Sequence, residues 1–150
     1  MIEIHCATEA DTRAVGRRLA SQLRSGDIVL LAGPLGAGKT VFASGVGEGL
    51  GVTDTVVSPT FVIVRWYQGL MRLVHVDLYR VGSSAEVEDL DLFAEAADGV
   101  LLVEWGDAAE QSFGDDRLLV RLDPHDDGSR TLTLEPHGAW QARPLTEVAA

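Results

Sequence analysis

The N-terminal part of the chain carries two hydrophobic patterns in succession. The alternation in Ile2–His5 predicts a short edge strand. Thr8 is predicted to cap the following helix, with Asp11 as its capping-box partner. Three apolar residues then recur at the spacing of one helical face: Val15, Leu19 and Leu23. The pattern therefore predicts an amphipathic helix that ends near Gly26.

A continuous apolar run and a second helix come next. Ile28–Ala32 contains no polar residue, which is typical of a parallel strand buried on both faces. A glycine-rich segment then leads into a helix with an apolar face formed by Phe42, Val46 and Leu50. Three glycines weaken this helix intrinsically: Gly45, Gly47 and Gly49. Gly51 is predicted to end it.

The remainder of the chain predicts more strands than helices. Phe61–Tyr67 and Met71–Asp77 flank Gln68 and Gly69 and predict a β-hairpin. A capping-box pattern at Ser83–Glu86 predicts the start of another helix, and Val100–Val103 is a second buried apolar run.

Apolar residues alternate on both sides of a predicted turn at Asp123–Gly128. They are Leu118, Val120 and Leu122 before the turn, and Leu132 and Leu134 after it. No clear pattern follows Pro136, so residues 136–150 are expected to form a poorly ordered tail. Strands that alternate with helices predict an α/β protein, and 150 residues predict a single domain over 1–150.

Composition limits the classes of function that fit. A hydrophobic content of 46% argues against disorder, and no apolar run reaches the length of a membrane span. The first residues do not resemble a secretion signal, and Cys6 is the only cysteine, so we expect a cytoplasmic protein without an internal disulfide. The net charge of −11 opposes direct binding of nucleic acid, so contact with RNA is expected only through a partner.

The glycine-rich segment Gly33–Thr40 matches the phosphate-binding pattern G-x-x-x-x-G-K-[ST]. It lies between a predicted buried strand and a predicted helix, as the pattern requires. Lys39 is the only lysine, whereas the other eleven basic residues are arginines. A compact ammonium at this position is expected to bind the β- and γ-phosphates of ATP or ADP, while the Thr40 hydroxyl binds Mg²⁺. The motif therefore predicts a P-loop NTPase fold, with a mainly parallel central sheet flanked by helices and with antiparallel additions.

Two acids follow predicted strands and are candidates for the same site. Glu104 ends the apolar run Val100–Val103, which is the form of a Walker B strand. Asp77 ends Leu73–Val76 and is a candidate for the Mg²⁺ site or for orienting water, because ligands of open α/β sheets lie beyond the carboxyl ends of strands. The alternative for Glu104 is an ordinary acid where a strand passes into a turn, and the alternative for Asp77 is a cap of a helix or turn. His75 shares the sheet face of Asp77 and is interpreted as a packed strand histidine.

Four segments together resemble the TsaE family (formerly YjeE), P-loop ATPases of bacterial tRNA threonylcarbamoyladenosine biosynthesis. They are GPLGAGKT at 33–40, SPTF at 58–61, HVDLYR at 75–80 and EWG at 104–106, in that order and spacing. The resemblance implies an ATPase that is weak alone. It also implies that TsaD and TsaB are the partners with which it supports modification of adenosine 37 of tRNA.

The resemblance also implies roles for individual residues. Thr40 and Glu104 would hold Mg²⁺, with Asp77, Glu104 and Lys39 serving catalysis. Ser58 and Thr60 would belong to a switch segment, and Tyr79 and Trp105 would lie near the site. The nucleotide contacts implied by the motif and the family are Thr12, Gly33, Gly36, Ala37, Gly38, Lys39, Thr40, Val41, Ser58, Thr60 and Arg130. Of these, Thr12 and Arg130 would contact the adenosine end.

The chain departs from the family pattern at Pro34, where many members have Asp, and at Gly106, where many have Pro. Two other functions fit the phosphate loop alone. A small-molecule kinase would need an acceptor pocket and an arginine-rich lid, and the sequence shows no arginine cluster. A GTP switch would need an N-K-x-D motif, which the position of the single lysine excludes.

Overall fold

The computed structural model describes residues 1–56, 64–78, 91–105, 110 and 112–149. Within these residues, seven strands form one sheet in the spatial order β1-β7-β6-β2-β5-β4-β3. The strands are β1 (Ile2–Cys6), β2 (Ile28–Ala32), β3 (Val64–Gln68), β4 (Arg72–Asp77), β5 (Gly99–Glu104), β6 (Arg117–Pro124) and β7 (Arg130–His137). The central neighbours β6, β2, β5 and β4 run parallel, and the outer pairs are antiparallel. The predicted fold class is confirmed.

Two helices, α1 (Glu9–Ala20) and α2 (Lys39–Gly49), pack on one face of the sheet, and a short helix spans Leu92–Glu95. The predicted capping box of α1 is confirmed, because Asp11 N–H bonds the Thr8 side chain and the Asp11 carboxylate bonds Thr8 N–H. Helix α1 ends at Ala20, earlier than the predicted Gly26. Beyond that point the Asp27 carboxylate accepts a hydrogen bond from Arg24 N–H at 2.6 Å, which favours a turn over another helical turn.

The sheet separates two apolar clusters. The larger one joins α1 and α2 to side chains such as Val29, Leu31 and Leu73, and the smaller one lies on the opposite face around Leu30 and Val103. No helix of the described residues has the length and apolar character needed to cross a membrane.

Glycines allow α1 and α2 to pack backbone against backbone. A Cβ added at Gly45 would collide with the carbonyl of Arg13, and one added at Gly16 would collide with the carbonyl of Phe42. A Cβ added at Gly49 would collide with the Ala20 side chain and with the carbonyl of Arg17. The glycines that weaken α2 as an isolated helix therefore permit the close approach that fixes it against α1.

The predicted hairpin is confirmed from Val64, which pairs with Val76, to Gln68, which pairs with Arg72. The predicted strand residues 61–63 and the capping box at Ser83–Glu86 lie outside the described residues. The predicted strands on either side of Asp123–Gly128 are confirmed as the antiparallel pair β6 and β7.

The C-terminal segment differs from the expected tail. It forms two 3₁₀-helices, Gly138–Ala142 and Leu145–Ala149. Three of its apolar side chains are buried in the larger cluster: Trp140, Leu145 and Val148. Arg143 makes a bidentate ion pair with Asp27 at 2.5 and 2.7 Å. Burial of three apolar anchors and this ion pair order a segment whose spacing matches neither a helical nor a strand period.

Candidate functional site

The phosphate-binding pattern forms a turn between β2 and α2. Gly38 caps α2 with φ of +103° and Gly36 has φ of +80°, both in the region that favours glycine. Gly33 packs against β6, where an added Cβ would lie 2.7 Å from the Leu122 carbonyl. The first-turn N–H groups of a helix lack intrahelical partners and carry partial positive charge. The loop and the start of α2 can therefore bind an anion.

Lys39 is almost completely buried at the centre of this loop, with 5% of its surface exposed. Its ammonium donates hydrogen bonds to the carbonyls of Gly33 at 2.6 Å and Pro34 at 2.9 Å. The Pro34 carbonyl also accepts from Ala37 N–H at 3.1 Å. Pro34 therefore fits the loop through its carbonyl, although it has no N–H of its own.

The indole ring of Trp105 covers the Lys39 ammonium. The lysine nitrogen lies 3.7 Å from the centroid of the indole ring, which is cation–π contact. Trp105 directly follows β5 and has φ of +67°, uncommon for a residue other than glycine. The backbone N–H of Trp105 donates a hydrogen bond to the Leu31 carbonyl at 2.7 Å. This bond to β2 helps to hold the strained turn that brings the ring over the ammonium.

Asp77 and Glu104 lie side by side at the carboxyl ends of β4 and β5. The parallel register pairs these two residues directly. Both are buried, with 6% and 3% of their surfaces exposed, and both line the cleft in front of the phosphate loop. The structure therefore brings the two candidate acids together at one sheet edge, while their roles in a Mg²⁺ site or in orienting water stay predictions.

His75 connects β4 to the acid of β5. Its Nε2 lies 2.6 Å from Oε2 of Glu104, and the histidine is completely buried. The interpretation of His75 as a packed strand histidine is therefore incomplete, because its ring also bonds a carboxylate of the cleft. Its position two residues before Asp77 was the only sequence signal for this contact.

These elements enclose a cleft of about 240 Å³. Its lining residues are Glu9, Leu35, Gly36, Gly38, Lys39, Thr40, Val41, Asp77, Glu104 and Trp105. Glu9, from the first turn of α1, had no signal in the sequence. Thr40, Asp77 and Glu104 offer the hard oxygen donors that Mg²⁺ prefers, so the residues present fit this ion. In the described part of the chain, no three or more His, Cys, Asp or Glu side chains are grouped to hold a metal ion.

Arg130 and Thr12 differ in their relation to the loop. Arg130 packs against Gly38, since an added Cβ there would lie 2.7 Å from a guanidinium nitrogen. Thr12, on α1, is fully buried and its side chain is hydrogen-bonded to the Cys6 thiol. Burial raises the pKa of that thiol, and the hydrogen bond with Thr12 only partly offsets the rise. The predicted contacts of both with the adenosine end of a nucleotide stay predictions. Ser58 and Thr60 lie outside the described residues, as do Tyr79 and Gly106.

Comparison with known proteins gives one family. The model of the threonylcarbamoyl adenosine biosynthesis protein TsaE matches residues 6–132. A tRNA threonylcarbamoyladenosine biosynthesis protein TsaE from Streptomyces coelicolor is 52% identical over 115 residues, which cover 74% of this chain and 78% of the relative. One from Bacillus subtilis is 38% identical over 129 residues, covering 85% and 81%.

A solved structure agrees with this match. The crystal structure of Bacillus subtilis YdiB superposes with a TM-score of 0.81 at 31% identity, covering 97% of this chain and 91% of that one. The similarity therefore extends over nearly the whole fold, including the C-terminal segment that the sequence pattern left unassigned.

Proposed function

Because the chain belongs to the TsaE family of threonylcarbamoyl adenosine biosynthesis proteins, we propose that it binds ATP with Mg²⁺ and hydrolyses it in support of tRNA threonylcarbamoyladenosine modification. The observation that carries the proposal is the arrangement of the cleft. A phosphate-binding loop with a buried lysine faces two neighbouring carboxylates, Asp77 and Glu104, across one cavity.

The loop side of the cleft would hold the phosphates. Backbone N–H groups of Gly33–Thr40 and the start of α2 suit phosphate oxygens. The Lys39 ammonium, now bonded to two loop carbonyls, lies close enough to exchange those acceptors for the β- and γ-phosphates. Arg130 adds positive charge at Gly38. This side of the site supplies affinity.

The carboxylate side would support hydrolysis. Thr40 and Glu104 would hold Mg²⁺, which when bound neutralises negative charge on the phosphate oxygens. Asp77, paired with Glu104 in the sheet, would orient the attacking water or complete the metal shell. Burial of both carboxylates keeps competing solvent away and strengthens their electrostatic effect.

The partners would be TsaD and TsaB. A net charge of −11 disfavours direct binding of tRNA, so the chain would act on the tRNA only through that complex. The proposed role is to supply the free energy of ATP hydrolysis to the complex that carries out the modification.

Calorimetric titration with ATP, ADP and GTP, each with Mg²⁺ and with EDTA, tests the binding step. We expect ATP and ADP to bind, and Mg²⁺ to tighten the binding. Product analysis then separates hydrolysis from a kinase reaction, because hydrolysis yields free phosphate from ATP without an added acceptor. Absence of nucleotide binding, or preference for GTP, would refute the proposal.

A further inference from the structure

The contact between His75 and Glu104 has no role in the function proposed so far. The histidine lies in the middle of β4 and is completely buried, and the Glu104 side chain is 4% exposed. Their atoms Nε2 and Oε2 lie 2.6 Å apart. A buried carboxylate is costly without a hydrogen-bond partner, so this short contact determines how Glu104 is held.

The sheet register places the histidine where it can act on the cleft without lining it. His75 pairs with Leu102, and Asp77 pairs with Glu104, so the ring reaches the glutamate diagonally across the two strands. All four positions lie on the sheet face that α2 covers, as the burial of Leu73 and Leu102 in the cluster with α2 shows. The His75 ring therefore lies on the side of Glu104 that faces away from the carboxyl ends of β4 and β5.

Hydrogen-bond balance assigns the proton between the two groups. The ionised Glu104 carboxylate can only accept, so His75 donates from Nε2. The other ring nitrogen, Nδ1, is buried and has no partner among the described residues. An unprotonated Nδ1 leaves one lone pair unpaired, whereas a protonated one would leave a buried N–H without an acceptor. A buried N–H without an acceptor is rarer than an unpaired acceptor, which favours the tautomer that carries its proton on Nε2.

We propose that His75 is the positioning residue of Glu104. By holding Oε2, the ring stops rotation of the carboxylate and leaves Oε1 as the oxygen available to the cleft beside Thr40. This inference rests on the proposed function, in which Glu104 supports Mg²⁺. Groups that hydrogen-bond a metal-binding side chain from behind typically change metal affinity 10- to 100-fold when removed.

Two substitutions separate the hydrogen bond from the bulk of the side chain. His75→Gln carries an amide N–H near the position of Nε2, whereas His75→Asn carries one only near Nδ1. Both are neutral and polar, so they serve as matched variants. Leu73→Ala is the control for packing, because Leu73 is buried on the same face of the same strand.

The affinity of the protein for a fluorescent, non-hydrolysable ATP analogue is measured as Mg²⁺ is added. The quantity compared between variants is the Mg²⁺ concentration that gives half of the maximal increase in this affinity. We expect this concentration to rise about 10- to 100-fold in His75→Asn and to stay within about 3-fold of wild type in His75→Gln. Analogue affinity in EDTA should stay unchanged in both variants. Circular dichroism melting identifies variants that do not fold. If His75→Asn does not fold, His75→Met replaces it, with the same expected result.

The outcomes distinguish the inference from the function on which it rests. A wild-type Mg²⁺ requirement in His75→Asn would overturn the positioning role and leave the proposed function intact. A loss that Leu73→Ala reproduces would show a role in packing alone and would also overturn it. If the wild-type protein shows no Mg²⁺-dependent binding, the proposed function fails first and the inference fails with it.

Discussion

Lys39 is the residue on which the proposed phosphate site depends most directly. Its ammonium is buried under Trp105 and bonded to two carbonyls, so the pocket fits a compact cation. Lys39→Ala should weaken ATP binding about 10- to 150-fold, since a hydrogen bond to a charged group contributes about 1.5–3 kcal/mol. Lys39→Arg should bind as poorly, because the planar guanidinium does not fit. Isothermal titration calorimetry measures both.

A surface arginine provides the control for that prediction. Arg13 is 44% exposed at its side chain and pairs with Glu48 on the helix surface. Arg13→Ala should leave ATP affinity unchanged. That result would show that the loss of one positive charge from this acidic chain does not by itself weaken ATP binding. Wild-type binding by Lys39→Arg would refute the special role assigned to the single lysine.

Asp77 and Glu104 are expected to matter for turnover more than for binding. Asp77→Asn and Glu104→Gln keep the size of each side chain and remove its charge, while the loop N–H groups stay in place. Each variant should therefore still bind ATP but release phosphate about 100-fold or more slowly, because the reaction loses electrostatic support for Mg²⁺ or for the attacking water. Single-turnover phosphate release measures the effect. Unchanged rates in both variants would exclude the two carboxylates from the reaction.

At the level of elements, the contact between α1 and α2 depends on glycine. Gly45→Ala should improve the intrinsic propensity of α2 by about 1 kcal/mol. The added methyl group would, however, collide with the Arg13 carbonyl, and such overpacking typically costs about 1–3 kcal/mol. We expect the steric term to dominate, so the variant should unfold at lower urea concentration. If Gly45→Ala were more stable than the wild-type protein, α1 and α2 would be able to move apart at little energetic cost.

The ion pairs across the same helices provide a contrast. Glu48 accepts hydrogen bonds from Arg17 and Arg13, which hold its pKa below the ordinary value. The stabilisation is present above that ordinary value and lost as the pH falls through the lowered pKa. Because these side chains are well exposed, Glu48→Gln should cost less than about 1 kcal/mol at neutral pH. Packing, and not surface charge, joins the two helices.

Elements with a local signal were predicted well from the sequence. The phosphate loop and the capping box at Thr8 depend on neighbouring residues, and the placement of Asp77 and Glu104 at strand ends follows from the apolar runs that precede them. The contact of Arg130 with Gly38 depends on the parallel pairing of β6 with β2, which brings the start of β7 to the phosphate loop and which no local pattern encodes. The bond from His75 to Glu104 likewise depends on the register of β4 and β5.

For the whole molecule, the C-terminal segment acts as part of the core. Trp140 is 1% exposed, and Arg143 stacks on its ring while pairing with Asp27. Trp140→Ala should lower the free energy of unfolding by about 3–5 kcal/mol, the usual cost of removing a large buried aromatic ring. Urea denaturation followed by circular dichroism measures this without relying on tryptophan fluorescence. A loss below about 1 kcal/mol would mean that the segment packs only loosely.

The whole molecule also sets the expected dependence on partners. If the chain acts with TsaB–TsaD as proposed, its net charge of −11 is expected to oppose direct binding of tRNA, and hydrolysis uncoupled from that complex would consume ATP without any effect on tRNA. We therefore expect phosphate release by the isolated chain to be far below the ~10 s⁻¹ median of enzymes.

Addition of TsaB–TsaD should raise that rate at least about 10-fold, because an arginine supplied by a partner can contribute 10³–10⁵ in related enzymes. The control is the same mixture with Lys39→Ala, which subtracts any ATP hydrolysis by the partners themselves. Steady-state phosphate release is measured for each mixture. If the isolated chain already turns over near the median rate and the pair adds nothing, hydrolysis is not gated by assembly, and the chain must be treated as a stand-alone catalyst.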